Sequence, residues 1–206
     1  MISNNLYDAF LFDFDGVILD SEPVHFDCWR QVLSPHGIAL DWDTYARHCV
    51  GVADYVMLEF LGGRADPPVP ADRLWAEYGR KNRLFVERMV VDPPVPAATR
   101  ELIPELARHA KLAIVSSSGS AEVEPILGAS GLRGYFAAVV CGDHVRRHKP
   151  DPEPYLEAAG RLGAVRPLVI EDSPAGVASG RAAGFDVLVI DDAGRTADLV
   201  RDKLAG

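Results

Sequence analysis

The chain opens on a short apolar run, residues 6–14, rich in Leu and Phe and closed by Gly16. A run of that length with a turn residue behind it predicts a buried strand. From residue 22 to about residue 91 the texture changes. Val24, Cys28 and Val32, then Val56 and Phe60, then Leu74, Tyr78 and Leu84 recur at helical spacing. This stretch holds no good strand pattern. It predicts a helical module broken at residues 35–37 and 62–70, where Pro and Gly cluster.

Pro93, Pro94 and Pro96 then mark a linker. Beyond it, helical patterns near 98–109, 121–130, 153–162, 175–183 and 195–204 alternate with apolar segments at 112–116, 137–141, 168–171 and 187–190. The apolar segments are short and rich in Val and Ile, as fully buried parallel strands are. The alternation predicts an α/β fold, a Rossmann-like doubly wound parallel sheet. Residues 1–20 and 93–206 would form the core and residues 21–92 an inserted helical cap.

Composition narrows the function. A 48% hydrophobic share over 206 residues is enough to bury a substantial core. A net charge of −9 gives little to gain from counterion release, which argues against nucleic acid. No basic stretch precedes an apolar one at the N-terminus, and no apolar run is long enough to span a bilayer. Cys28, Cys49 and Cys141 are odd in number and not at metal-ligand spacing, so they read as reduced thiols of a cytoplasmic protein. Nothing in the sequence fixes the assembly beyond a monomer or a weak homo-oligomer.

In open α/β sheets the ligand sits beyond the carboxyl ends of the strands. Those ends carry Asp13-Phe14-Asp15-Gly16, Ser116-Ser117-Ser118-Gly119, Lys149-Pro150 in a loop, and Glu171-Asp172-Ser173-Pro174. Each group has a plain explanation alone. Asp-x-Asp suits a turn, Ser118 or Ser120 could cap a helix, and Ser173-Pro174 is a good N-cap and first-turn pair. Lys149 could be a solvated lysine. Together they bring an acid nucleophile, hydroxyls, a cation and a pair of acids to one crevice, which chance explains poorly.

The run Phe12-Asp13-Phe14-Asp15-Gly16-Val17-Ile18-Leu19-Asp20-Ser21-Glu22 resembles the first motif of the haloacid dehalogenase superfamily of phosphatases. Ser116 is similar to its second motif, Lys149 in His148-Lys149-Pro150-Asp151-Pro152 to its third, and Glu171-Asp172-Ser173-Pro174-Ala175-Gly176 to its fourth. The insertion after the first strand resembles the helical cap of the β-phosphoglucomutase-like branch. The resemblance implies a Mg²⁺-dependent phosphatase of a small phosphorylated metabolite, working through an aspartyl-phosphate intermediate. Asp13 would attack, since a carboxylate needs no deprotonation first. Asp13, the Asp15 carbonyl and Asp172 would hold the metal, with Glu171 beside them as outer shell or ligand. Asp15 would protonate the leaving group and then activate water. Lys149, Ser116, Ser117 and the backbone N–H groups after Ser116 would bind the phosphoryl group.

In the insertion, His25 and Lys81 match polar cap residues of that branch and are candidate substrate-binding groups. On residue type alone, His25 could equally be a partly buried helix histidine and Lys81 part of a solvated face. Arg146 and Arg147 read as solvated, and Trp29, Trp42 and Trp75 as cap core. The branch pattern places an arginine three residues after a Gly-Val pair, suited to a second phosphate. Here Gly51-Val52-Ala53-Asp54 puts an acid there, which favours hydrolysis over mutase chemistry. A haloacid dehalogenase needs neither Asp15 nor the Glu171-Asp172 pair, and an inactive binding module needs none of the set.

Overall fold

The computed structural model describes residues 6–50 and 52–205. In chain order it forms β1 (Ala9–Phe12), α1 (Glu22–Leu33), α2 (Trp42–His48), α3 (Asp54–Gly63), α4 (Ala71–Trp75), α5 (Tyr78–Val91) and α6 (Ala97–Ala107). Then follow β2 (Lys111–Val115), α7 (Ser120–Ala129), β3 (Phe136–Val140), α8 (Glu153–Leu162), β4 (Pro167–Glu171), α9 (Pro174–Ala182), β5 (Asp186–Val189) and α10 (Thr196–Ala205). The chain divides into two compact units, one of residues 1–20 and 92–206 and one of residues 21–91.

In the first unit the five described strands are parallel, in the order β3-β2-β1-β4-β5. All residues of β1 and of β4 are buried, so both faces of the sheet centre are covered. On one face Ala9, Leu11, Ala113, Val115, Val140 and Val169 pack against Tyr155, Ala158 and Leu162 of α8. The strand order reverses at β1: the chain builds outward through β2 and β3, then returns to place β4 on the other side. That reversal opens a crevice at the carboxyl ends of β1 and β4, the usual ligand position in such sheets.

β1 is shorter than the apolar run predicts. At its start the Asp8 carboxylate accepts from the Val165 and Arg166 N–H groups, and at its end the chain turns through Gly16. β5 is shifted one residue toward the N-terminus relative to the predicted 187–190 segment.

The second unit is all helical among its described residues, around a core of Trp29, Val32, Leu33, Met57, Leu58, Leu61 and Leu74. The predicted breaks occur at the short 3₁₀ turn Ser34–His36 and in residues 64–70. Further breaks separate α2 from α3 and α4 from α5, which the helical spacing did not separate. The tryptophan expectation is corrected in part. Trp29 is buried in the core, but Trp42 and Trp75 are 47% and 40% exposed, each resting against neighbouring aromatic rings. An edge-on aromatic can serve a helix surface while its far side stays in water. All three cysteines are free and buried.

Candidate active site

Asp13 follows β1 directly, and its N–H continues the ladder to Ile170 O at 2.9 Å. Three residues on, Gly16 takes φ +73°, a conformation that favours glycine, and its N–H closes the turn on Leu19 O at 2.8 Å. A Cβ on Gly16 would collide with the Asp172 carboxylate. Gly16 therefore makes the turn and leaves room for an acid arriving from β4.

Lys149 lies at the centre. Its Nζ donates to Asp13 Oδ1 at 2.5 Å, Glu171 Oε1 at 2.6 Å and Val115 O at 2.8 Å, which uses all the protons of an ammonium. The solvated alternative for Lys149 is thus excluded, since its side chain is only 4% exposed. Burial opposes the ammonium, but Asp13 and Glu171 outweigh it and hold Lys149 above its ordinary pKa. Burial pushes Asp13 well above the usual carboxylate range, with Lys149 opposing and the Glu171 and Asp172 charges adding. Glu171, fully buried, also accepts from the Tyr155 hydroxyl at 3.0 Å and from the Ser173 N–H and hydroxyl at 2.9 and 3.1 Å.

Ser116 follows β2 and is buried, its N–H bonded to Val140 O at 2.9 Å and its Oγ accepting from the Ser118 N–H at 3.1 Å. Ser117 is exposed, and Ser118 Oγ lies 3.5 Å from Asp15 Oδ2. The structure thus brings Ser118, offered above only as a capping residue, toward Asp15. Neither Ser118 nor Ser120 caps α7, whose N-cap is Gly119. Ser173 does cap α9, accepting from the Gly176 N–H at 3.0 Å. Arg146 is exposed; Arg147 is exposed as well but pairs with Asp151 and Glu153.

Carboxylate oxygens of Asp13, Glu171 and Asp172 lie within 4.8 Å of one another. Desolvation, then the Glu171 charge, push Asp172 up to about 7. Several acids face one ammonium, and a hard divalent cation with oxygen ligands fits that surplus. A second cluster, Cys141, Asp143 and His144, suits Mg²⁺ poorly. Burial pushes the Cys141 thiol up to about 12, Asp143 accepts from Ser120, and His144 Nδ1 accepts from the Cys141 N–H.

In the second unit Lys81 is 3% exposed, so its solvated reading is corrected. Its Nζ donates to His25 Nδ1 at 2.8 Å and lies over the Phe85 and Trp29 rings at 5.1 and 5.5 Å. The His25 ring stacks on Phe85 with centroids 3.9 Å apart. Burial, then Lys81, push His25 down to about 3, so it is a neutral imidazole accepting at Nδ1. Asp54, in the first turn of α3, accepts from the Trp29 side chain; burial raises its pKa while Lys81 and Trp29 oppose. Gly51 of the Gly-Val pair lies outside the described residues.

Sequence reasoning missed Tyr155 and the role of Ser173 toward Glu171. Tyr155 sits at an apolar position of α8 and carried no polar pattern. Its position six residues after Lys149, on the buried face of the next helix, was the available signal.

The haloacid dehalogenase-like hydrolase model matches residues 10–190. The fructose-1-phosphate phosphatase YqaB of Escherichia coli (strain K12) is 34% identical over 190 residues, covering 88% of this chain and 95% of that protein. The β-phosphoglucomutase of Mycobacterium tuberculosis is 29% identical over 227 residues, covering 96% and 86%. The solved structure of CbbY from Rhodobacter sphaeroides in complex with phosphate superposes with a TM-score of 0.71 at 25% identity, over 89% of this chain and 85% of that one. The chain therefore belongs to the haloacid dehalogenase-like hydrolases.

Proposed function

We propose that this hydrolase cleaves phosphate monoesters of small phosphorylated metabolites, sugar phosphates first among them, through an aspartyl-phosphate at Asp13. The observation that carries the reading is the buried Asp13–Lys149–Glu171 array with Asp172 beside it at the switch-point crevice. The E. coli relative's action on fructose 1-phosphate supports the substrate class.

Asp13 attacks phosphorus, and the ester oxygen leaves. Phosphoryl transfer is mostly a matter of positioning and charge neutralisation, because negative oxygens shield the phosphorus. Lys149 restrains Asp13 and offsets charge at the reacting centre. Ser116 and the N–H groups of the loop after β2 hold phosphoryl oxygens. Asp15, protonated, gives its proton to the leaving alkoxide; ionised, it then takes one from the water that opens the acyl phosphate. Bound Mg²⁺, held by the Asp13 and Asp172 carboxylates and the Asp15 carbonyl, would offset the charge of carboxylates and phosphoryl oxygens alike.

Residues 21–92 serve as the specificity cap, with His25 and Lys81 assigned to substrate binding. The three free thiols fit a reducing cytoplasmic setting, and among the described residues no helix is long and apolar enough to cross a membrane. We assign no nucleic-acid partner and a monomer or weak homo-oligomer.

The mutase reading rests on the M. tuberculosis relative and on the His25–Lys81 pair. Asp54 favours hydrolysis, since a carboxylate repels a second phosphate. The test supplies Mg²⁺ with fructose 1-phosphate, or with β-glucose 1-phosphate plus a trace of its 1,6-bisphosphate. Free phosphate should outpace any isomer; faster glucose 6-phosphate would establish the mutase instead.

A further inference from the structure

We infer that Glu171 is a positioning residue for Lys149, locked in place by Tyr155 and Ser173, and that it is not a ligand of the metal. The inference rests on the phosphatase reading above and assigns a function to Tyr155.

Glu171 is the last residue of β4 and is fully buried. Its Oε1 accepts from Lys149 Nζ at 2.6 Å and from the Tyr155 hydroxyl at 3.0 Å. Its Oε2 accepts from the Ser173 N–H at 2.9 Å and the Ser173 hydroxyl at 3.1 Å. A carboxylate offers about four acceptor positions. All are taken by protein donors, which leaves none for a cation or for a water to be steered.

The surroundings keep it so. A Cβ on Gly176 would fall within the Glu171 carboxylate, so that carboxylate fills the space of an absent side chain. Tyr155 is fully buried in the cluster with Val115, Val140 and Val169, and its hydroxyl has no route to solvent. The same tyrosine places its ring 5.1 Å beneath Lys149 Nζ. It therefore grips Glu171 through the hydroxyl and Lys149 through the ring face.

The two adjacent acids divide the work. Successive residues at a strand end point to opposite sides. Asp172 lays its carboxyl over Gly16 and is the cation-facing member; Glu171 turns into the protein toward Lys149. Lys149 is shared between Asp13 and Glu171, so the grip of Glu171 sets how firmly Lys149 holds the nucleophile. A second donor on Oε1 weakens that grip. Without the tyrosine hydroxyl, Lys149 is drawn toward Glu171 and Asp13 loses its restraint.

Tyr155→Phe removes one oxygen and keeps the ring. It should lower kcat about tenfold with KM within about twofold of wild type. The Mg²⁺ Kd, measured by calorimetry, should stay within about twofold, whereas Asp172→Asn should raise it about tenfold or more. The Lys149 ammonium should give a ¹⁵N resonance protected from water exchange in the wild-type protein, assigned by its absence in Lys149→Arg, and it should move in Tyr155→Phe. Wild-type kcat in Tyr155→Phe would overturn the inference. So would tighter Mg²⁺ binding in that variant, which would mean the freed oxygen had taken the metal. Should the variant not fold, a Lys149 resonance in rapid exchange with water in the wild type would overturn it, and a protected one would support it. A wild-type enzyme inert toward phosphate esters would refute the phosphatase reading, while calorimetry and the ammonium resonance would still report on Glu171.

Discussion

Lys149 bridges Asp13 and Glu171, at 2.5 and 2.6 Å, from a side chain that is almost wholly buried. Two carboxylates and one ammonium thus share a place from which water is largely absent. Removing one partner from such a group leaves an uncompensated buried charge, whereas the intact group need not stabilise the fold at all.

Lys149→Met should therefore cost both activity and stability. We expect turnover to fall by at least about a thousandfold and stability by about 3–5 kcal/mol, the usual loss for breaking a buried pair. Denaturant unfolding and phosphate release measure the two. Unchanged stability would mean that Asp13, already raised by its burial, takes up a proton on losing the lysine.

Asp172 gives a pH signature. Its folded pKa, about 7, is above the ordinary carboxylate value. The folded state then binds the proton more tightly than the unfolded state, so its contribution to stability is full at low pH and is lost as pH rises through about 7. In EDTA, Tm should rise as pH falls from 8 toward 6. Mg²⁺ should raise Tm most at the alkaline end, because cation and proton compete for the same carboxylate. Melting curves over that range, with and without the cation, check both statements.

His25 behaves in the opposite sense. Its pKa is pushed down to about 3, so the neutral ring contributes stability above the ordinary imidazole value and loses it as pH falls toward 3. NMR should show a His25 ring that stays neutral between pH 5 and 8. A midpoint near 6.5 would mean that Lys81 does not hold it as the geometry requires.

The catalytic core was legible because its polar groups interrupt or end apolar runs that can only be buried strands. Asp13, Ser116 and Glu171 each stand at such a boundary, and the parallel sheet gathers those boundaries at the carboxyl ends of its central strands. Tyr155 was not legible, since a tyrosine on the inner face of a helix looks like packing until its hydroxyl partner is known. Helical spacing likewise placed Trp42, Trp75 and Lys81 on helices without telling which way each faced. The two tryptophans turned outward and the lysine inward, because Trp29, Phe85 and His25 make a site for an ammonium.

Glycine packing gives a further check. Gly176→Ala would drive a methyl group into the Glu171 carboxylate, and helix α9 or Glu171 would have to move. We expect a loss of about 1–3 kcal/mol, as for overpacking, and a drop in kcat larger than any change in KM. Gly160→Ala in α8, where a Cβ meets nothing within 4 Å, is the control and should be neutral or slightly stabilising. Equal effects in the two variants would remove the packing argument.

The central claim is that the phosphoryl group passes through Asp13. Rapid mixing of enzyme, Mg²⁺ and substrate, a quench after milliseconds and reduction with borohydride convert an aspartyl-phosphate to homoserine. Mass spectrometry of the peptide that contains residue 13 should find homoserine there in the wild type and none in Asp13→Asn. Homoserine at another aspartate, or steady release of phosphate with residue 13 unmodified, would contradict the account.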